Sequence, residues 1–191
     1  MRFVSEFNII PAMLKNTMRI EILGPDNLDA QLSLQERVEA SLENDWFLVH
    51  RDAGDWRRIL ASPDYAVYGI FDGARLVASG TAHFPNGSDP RDIPEFQPVP
   101  DRELAIFQAA MVDADYRGMD LMKLLQEMRQ GAAAKRKRGK IICKISAGNV
   151  RSWKVTINNG FHCVRVAPDH TGHDKMYFIK KLSLVQGFFT K

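Results

Sequence analysis

The densest apolar pattern of the chain lies between residues 107 and 138. Residues 107–112 are nearly all apolar, which predicts a strand covered on both faces. A polar turn follows over residues 113–117. From Met119 the apolar residues recur at Leu121, Leu125, Met128 and Ala132. That is helical spacing, and it predicts a helix over residues 119–138, about 30 Å long at about 1.5 Å per residue. Between strand and helix, Arg117-Gly118 supplies a residue without a Cβ where the backbone must turn tightly.

The same reading extends both ways. Residues 19–23 form a short strand ended by Gly24-Pro25-Asp26. Residues 29–44 read as a helix with Leu32, Leu34, Val38 and Leu42 on its apolar side, and residues 56–60 as a second helix stopped by Ser62-Pro63. Strands at 65–71 and 75–83 flank Asp72-Gly73, a strong hairpin signal because both turn positions need positive φ. Residues 84–100 hold five of the nine prolines and predict a long loop before a strand at 102–112. Downstream, residues 140–146 form a strand with Ile141, Ile142, Cys143 and Ile145 in the core. Asn149 fits the N-cap of a helix whose face is Val150, Trp153 and Ile157, and Asn158-Asn159-Gly160 stops it with Gly160 left-handed. Strands at 161–167 and 175–182 close the order β-α-α-β-β-β-α-β-α-β-β. Residues 1–17 are a poorly patterned leader ahead of Met18, either an arm or a stretch before the natural start. Residues 18–191 read as a single domain.

Composition narrows the class. The 191 residues suffice for one well-buried domain, and 45% hydrophobic with 26% charged residues is ordinary globular composition. A net charge of +3 suits an anionic ligand without requiring nucleic acid. No apolar run approaches the roughly 20 residues needed to cross a bilayer. The apolar Phe3, Val4, Phe7, Ile9 and Ile10 are interrupted by Glu6 and followed by Pro11, with no cleavage site, so no signal peptide is expected. Cys143 and Cys163 each fall inside a predicted strand and read as buried thiols in a reducing compartment, not as a disulfide. The five histidines lack metal-ligand spacing, so no metal site is expected and the cytoplasm is the default location. Five of the six residues from 135 to 140 are basic, but they stand at a helix C-terminus with no aromatic residue among them. A solvated helix end is favoured over a nucleic-acid contact.

The candidate chemistry sits at the strand–turn–helix. Its geometry aims unpaired backbone N–H groups and the positive end of a helix dipole at one point, a site for phosphate or pyrophosphate. An ordinary βα junction with nothing bound is the alternative.

Two blocks carry a resemblance. The first is Val-Asp-Ala-Asp-Tyr-Arg-Gly-Met-Asp-Leu-Met-Lys-Leu-Leu at 112–125, and the second is Ser-Ala-Gly-Asn-Val-Arg-Ser-Trp-Lys-Val-Thr-Ile-Asn-Asn-Gly-Phe at 146–161. In this order they resemble the acetyl-coenzyme A signature and the later Asn…Gly-Phe block of the GCN5-related N-acetyltransferase (GNAT) superfamily. The likeness spans roughly residues 18–182. It implies an α/β (α+β) fold with a mixed central sheet of six to seven strands, helices on both faces, and a splay between strands four and five. It also implies acetyl transfer from acetyl-CoA to an amine of a small molecule or peptide, by direct attack. The pantetheine arm would bond strand-four backbone at Met111, Val112 and Asp113. The N–H groups of Arg117, Gly118, Met119, Asp120, Leu121 and Met122 would hold the pyrophosphate. A strand-four N–H would polarise the acetyl carbonyl, and Asn149 would bond pantetheine or position the acceptor.

The sequence departs from the family at several points. Asp120 and Met122 stand where the second and third glycines are usual, and Asp120 facing a pyrophosphate would repel it. Thr156 stands where a proton-donating tyrosine is common, which leaves Ser152, also near pantetheine, or Tyr177 as the candidate acid. Glu103 is the candidate base, acting through water. Asp113 and Asp115 read as turn residues, Trp153 as core, and His83 lies where this family admits the acceptor. The rivals are a non-catalytic GNAT-fold binding protein with a weakened CoA site, and a nucleic-acid binder using the basic helix end. Edge strands and the apolar leader leave a homodimer open.

Overall fold

A computed structural model describes residues 17–86 and 100–183. Nearly all of the leader, most of the proline-rich segment and residues 184–191 lie outside the described residues. The elements are β1 (Met18–Leu23), α1 (Leu28–Glu39), α2 (Ala53–Ala61), β2 (Tyr65–Asp72), β3 (Arg75–His83), β4 (Leu104–Val112), α3 (Leu121–Lys135), β5 (Lys140–Ser146), α4 (Val150–Asn158), β6 (His162–Pro168) and β7 (Asp174–Lys181). They form one seven-stranded sheet in the order β1-β2-β3-β4-β5-β7-β6. Among the described residues only β4 and β5 pair in parallel; every other neighbouring pair is antiparallel. This is the mixed sheet that the resemblance implies.

Each face of the sheet has its own apolar layer. Leu121, Leu125 and Met128 of α3 pack on Ile70, Phe107, Ile141 and Phe178. Leu34, Val38, Trp56 and Ile59 of α1 and α2 pack on Leu23, Val67 and Met111. Truncating a side chain as buried as Leu125 to alanine costs about 2–5 kcal/mol. The second layer contains polar groups, and two of them are joined: Trp56 Nε1 donates to Gln35 Oε1 at 2.7 Å, and Gln35 Nε2 donates to Arg51 O at 3.0 Å. Buried Gln35 thereby fixes the start of α2 to α1.

Several elements depart from the sequence expectation for local reasons. α3 starts at Leu121 because Asp120 is left-handed, φ 54°, and it stops at Lys135, two residues before another left-handed residue, Lys137. α1 stops at Glu39, where Ser41 and Leu42 turn their N–H groups to Val38 O and Glu39 O in tighter i to i−3 bonds. α4 is capped as expected: Asn149 Oδ1 accepts from Ser152 N at 3.1 Å, and Gly160 has φ 79°. Its buried face is different. Val150 and Ile157 are exposed, Trp153 is half-buried, and Thr156 is the buried residue. Cys163 is also not a core thiol. It lies on β6, the last strand of the sheet, where residues 162–166 are all exposed, whereas Cys143 is buried.

Candidate active site

The parallel ladder between β4 and β5 is short. Leu104 to Phe107 pair with Lys140 to Cys143, and there the pairing ends. Beyond it β5 continues against β7 alone, while β4 continues against β3. A bulge bends β4 where they part: the register with β3 slips by one residue between Ser79 and Thr81, and Ala109 takes a positive φ of 45°. Ala109 and Ala110 have no register partner in either neighbouring strand. Gln108, Ala109, Ala110 and Val112 are accordingly only half-buried, so this strand is not covered on both faces.

The gap opens into a cleft of about 420 Å3. β4 contributes Ile106 to Ala110 and β5 contributes Ile142 to Ile145. Met122, Gln126 and Arg129 line it from α3, and Asn149, Ser152 and Thr156 from α4. His83 and the α1–α2 connection complete the rim, the latter through Phe47, Leu48, Val49 and Arg51. Four contacts hold that connection in place. Phe47 lies against Gly148, where a Cβ would come within 3.1 Å of its ring. Trp46 stacks on His173 with ring centroids 4.4 Å apart, and Lys175 Nζ donates to Trp46 O at 3.1 Å. Arg51 Nη2 crosses to Gln108 Oε1 at 3.1 Å. Asp169 anchors the β6–β7 turn; burial would raise its carboxyl, but hydrogen bonds from Thr171 and the charge of Lys175 bring it down to about 2.

Past β4 the chain makes a 3-10 turn, Ala114–Tyr116, then passes through left-handed Gly118 (φ 83°) and left-handed Asp120 into α3. Among the described residues no backbone hydrogen bond uses the N–H groups of residues 118–123. A Cβ on Gly118 would meet nothing within 4 Å, so the turn is open on that side. Asp120 is exposed and its carbonyl accepts from Leu124 N. Arg117 is tied back to the end of α1, its Nη2 donating to Ser41 Oγ at 2.6 Å. Met119 is half-buried and Leu121 is buried beneath the turn.

The remaining expected site residues take different places. Asp113 is a latch: its Oδ2 accepts from Arg37 Nε at 2.7 Å and Arg75 Nη2 at 2.8 Å, and its N–H goes to Val77 O. That N–H is therefore committed to β3, and alternation along the strand turns the N–H of Val112 to the parted side. Met111 buries its side chain under α1 and α2. Thr156 donates to Ser152 O and accepts from Gln126 Nε2, so its hydroxyl is fully engaged. Ser152 borders the cleft. Tyr177 is buried beside Leu104 and Ile142, and Glu103 ends a 3-10 turn ahead of β4; neither lines the cleft. The basic run is partly used internally: Arg136 and Arg138 lie over the Phe84 ring and donate to Pro63 O and Asp101 O.

Gln126 and Arg129 had not been anticipated. The signal is two polar residues three apart on the otherwise apolar buried side of α3.

No protein-family model matches the sequence, and no curated protein matches it. Solved structures do. The chain is similar to the ribosomal-protein-S18-alanine N-acetyltransferase of Escherichia coli, with 15% identity and a TM-score of 0.67 over 91% of this chain and 99% of that one. It is similar to a probable acetyltransferase of Staphylococcus epidermidis, with 16% identity and a TM-score of 0.71 over 87% and 99%. The GNAT domain of S. lividans PAT aligns with 19% identity and a TM-score of 0.66 over 85% and 90%. At these identities the likeness is one of fold, and the chain has the GNAT fold.

Proposed function

We propose that this chain, on its GNAT fold, is an acyl-CoA-dependent N-acyltransferase. In its simplest form it moves an acetyl group from acetyl-CoA to an amine of a small molecule or peptide. The observation that carries this reading is the parting of β4 from β5 beside a turn whose successive N–H groups have no backbone partner. An elongated ligand with an anionic end and a thin amide-bearing arm fits that combination. The N–H groups from Gly118 to Met122 would take the pyrophosphate, and the free edge of β4 near Val112 would take the pantetheine amides.

The thioester end then lies in the cleft beside the bulge. The N–H of Ala109 or Ala110, residues with no register partner at the bulge, is suited to the carbonyl oxygen as it gains charge. The amine approaches from the side of the α1–α2 connection and attacks the carbonyl carbon. A C–N bond forms, the C–S bond breaks, and the proton lost from nitrogen ends on the CoA sulfur. Of the three candidate catalytic residues, Ser152 borders the cleft, and we assign it the proton donated to the leaving thiolate. Ser152→Ala is expected to lower turnover about tenfold while leaving the Kd for acetyl-CoA unchanged, as read by steady-state kinetics and calorimetry.

Titration calorimetry with acetyl-CoA tests the reading as a whole; absence of heat at millimolar ligand removes it. One observation favours a second reading, a binding protein that has lost cofactor affinity. Met122 lines the cleft where a glycine would leave helix backbone bare to the ligand. In that case Met122→Gly restores CoA binding that the unaltered chain lacks.

A further inference from the structure

Arg129 projects from α3 into the wall of the cleft and is 2% exposed. Its Nε donates to Leu125 O at 3.1 Å, and Nη1 reaches Thr81 O only at 3.5 Å, the outer limit of a hydrogen bond. The guanidinium lies over Phe107, 4.6 Å from the ring centroid, and Gly80 leaves it room, since a Cβ there would come within 3.2 Å of Nε. Among the described residues no carboxylate forms an ion pair with it. Nearby Cys143 offers no charge, because burial pushes its thiol up to about 12. Burial lowers Arg129 only to about 10, so the group is cationic at neutral pH. A buried cation with no counter-charge is costly unless a ligand supplies one.

Gln126 supports the same conclusion independently. It is 4% exposed, lines the cleft, and among the described residues its Oε1 has no partner. Its orientation follows from its neighbour: the Thr156 hydroxyl donates to Ser152 O, so toward Gln126 it accepts, and Nε2 must face it. Buried polar groups in native proteins are normally satisfied. The cleft therefore suits an occupant with an anionic oxygen for Arg129 and a hydrogen-bond donor for Gln126.

We propose that the cleft selects a coenzyme A thioester whose acyl chain ends in a carboxylate, with Arg129 holding that carboxylate and Gln126 accepting from an amide N–H of the donor. This rests on the acyltransferase reading and narrows its donor from acetyl to a carboxyacyl group. The transfer is otherwise the same. The ammonium group first gives one proton to solvent; the amine nitrogen then bonds to the thioester carbonyl carbon, the C–S bond breaks, a second nitrogen proton passes to sulfur, and the distal carboxylate is unchanged. The product carries a negative charge where the amine carried a positive one.

Calorimetric titration of the full chain with CoA, acetyl-, butyryl-, malonyl- and succinyl-CoA, and free succinate tests this. The malonyl or succinyl ester is expected to bind about 10-fold or more tighter than the acetyl and butyryl esters. Arg129→Met should bring the carboxyacyl ester down to the affinity of the acetyl ester, and Arg129→Lys should restore part of the preference. If Arg129→Met does not fold, the unaltered protein's ligand series still decides. CoA binding with no preference for the anionic esters overturns the inference and leaves the acyltransferase reading standing. Failure of every CoA compound to bind ends both. Free succinate binding as tightly as its CoA ester assigns the carboxylate to a free acid and also overturns the proposal.

Discussion

Asp120 occupies a left-handed backbone position that suits glycine best and that asparagine or aspartate tolerate next. Its exposed carboxylate gains about 0.3–1 kcal/mol from the α3 dipole and repels a bound anion by a similar amount. Asp120→Gly removes the strain and the dipole gain together, so stability in urea unfolding should shift by less than about 1 kcal/mol. Affinity for acetyl-CoA should rise about threefold by calorimetry; an unchanged Kd would mean the carboxylate points away from the phosphates. Asp113 gives a pH prediction. Burial alone would raise its carboxyl, but hydrogen bonds from Arg37 and Arg75 win, and it titrates below its ordinary value. The folded pKa is thus the depressed one, so the latch contributes in full above the unfolded value near about 4 and is lost as pH falls through the folded value. Asp113→Asn should cost about 2 kcal/mol at neutral pH, below the about 3–5 kcal/mol of a fully buried pair because Arg37 and Arg75 remain partly solvated. Urea unfolding across the acid range should show a shallower loss of stability for the variant than for the unaltered chain.

At the scale of elements, the bulge in β4 creates the site, and Ala109 is its strained residue. Ala109→Gly should stabilise the fold by about 1 kcal/mol, whereas Ala109→Val, β-branched at a positive φ, should cost at least about 1 kcal/mol in the same unfolding assay. The sequence marked element order well because its punctuation is local: left-handed Gly73 turns β2 into β3, one residue later than the Asp72-Gly73 signal places the turn, Asn149 caps α4, and Gly160 ends it. It did not mark the bulge, since an Ala-Ala pair inside an apolar strand has no signature of the missing ladder. It also misled on α4. Periodicity assigned Val150 and Ile157 to the core, but the helix turns Ser152 and Thr156 to the cleft, where a polar wall is required. Arg129 and Gln126 escaped notice for the same reason: an apolar stripe is read from the residues that fit it, and these two do not.

On the scale of the whole molecule, the gap between β4 and β5 connects two layers that otherwise share little beyond the sheet. α3 and its turn lie on one side, and the α1–α2 connection, stacked through Trp46 on the β6–β7 turn, lies on the other. None of this long-range convergence is a property of a sequence window, because residues 46 and 173 meet across a separation that no local pattern reports. A ligand bridging the gap adds contacts that the free protein lacks there, and it stabilises the fold by mass action. At about 100 times its Kd, an acyl-CoA ester should contribute about 2.7 kcal/mol and raise Tm by roughly 5–10 °C. The place of that effect matters more than its size. Hydrogen exchange should slow most at residues 109–112, at 118–123 and along 144–146, and least in the β1–β2 pair on the far edge. A rise in Tm with no added protection along the parted strands would place the ligand elsewhere on the molecule, and the unpaired amides of the turn would then need a different occupant.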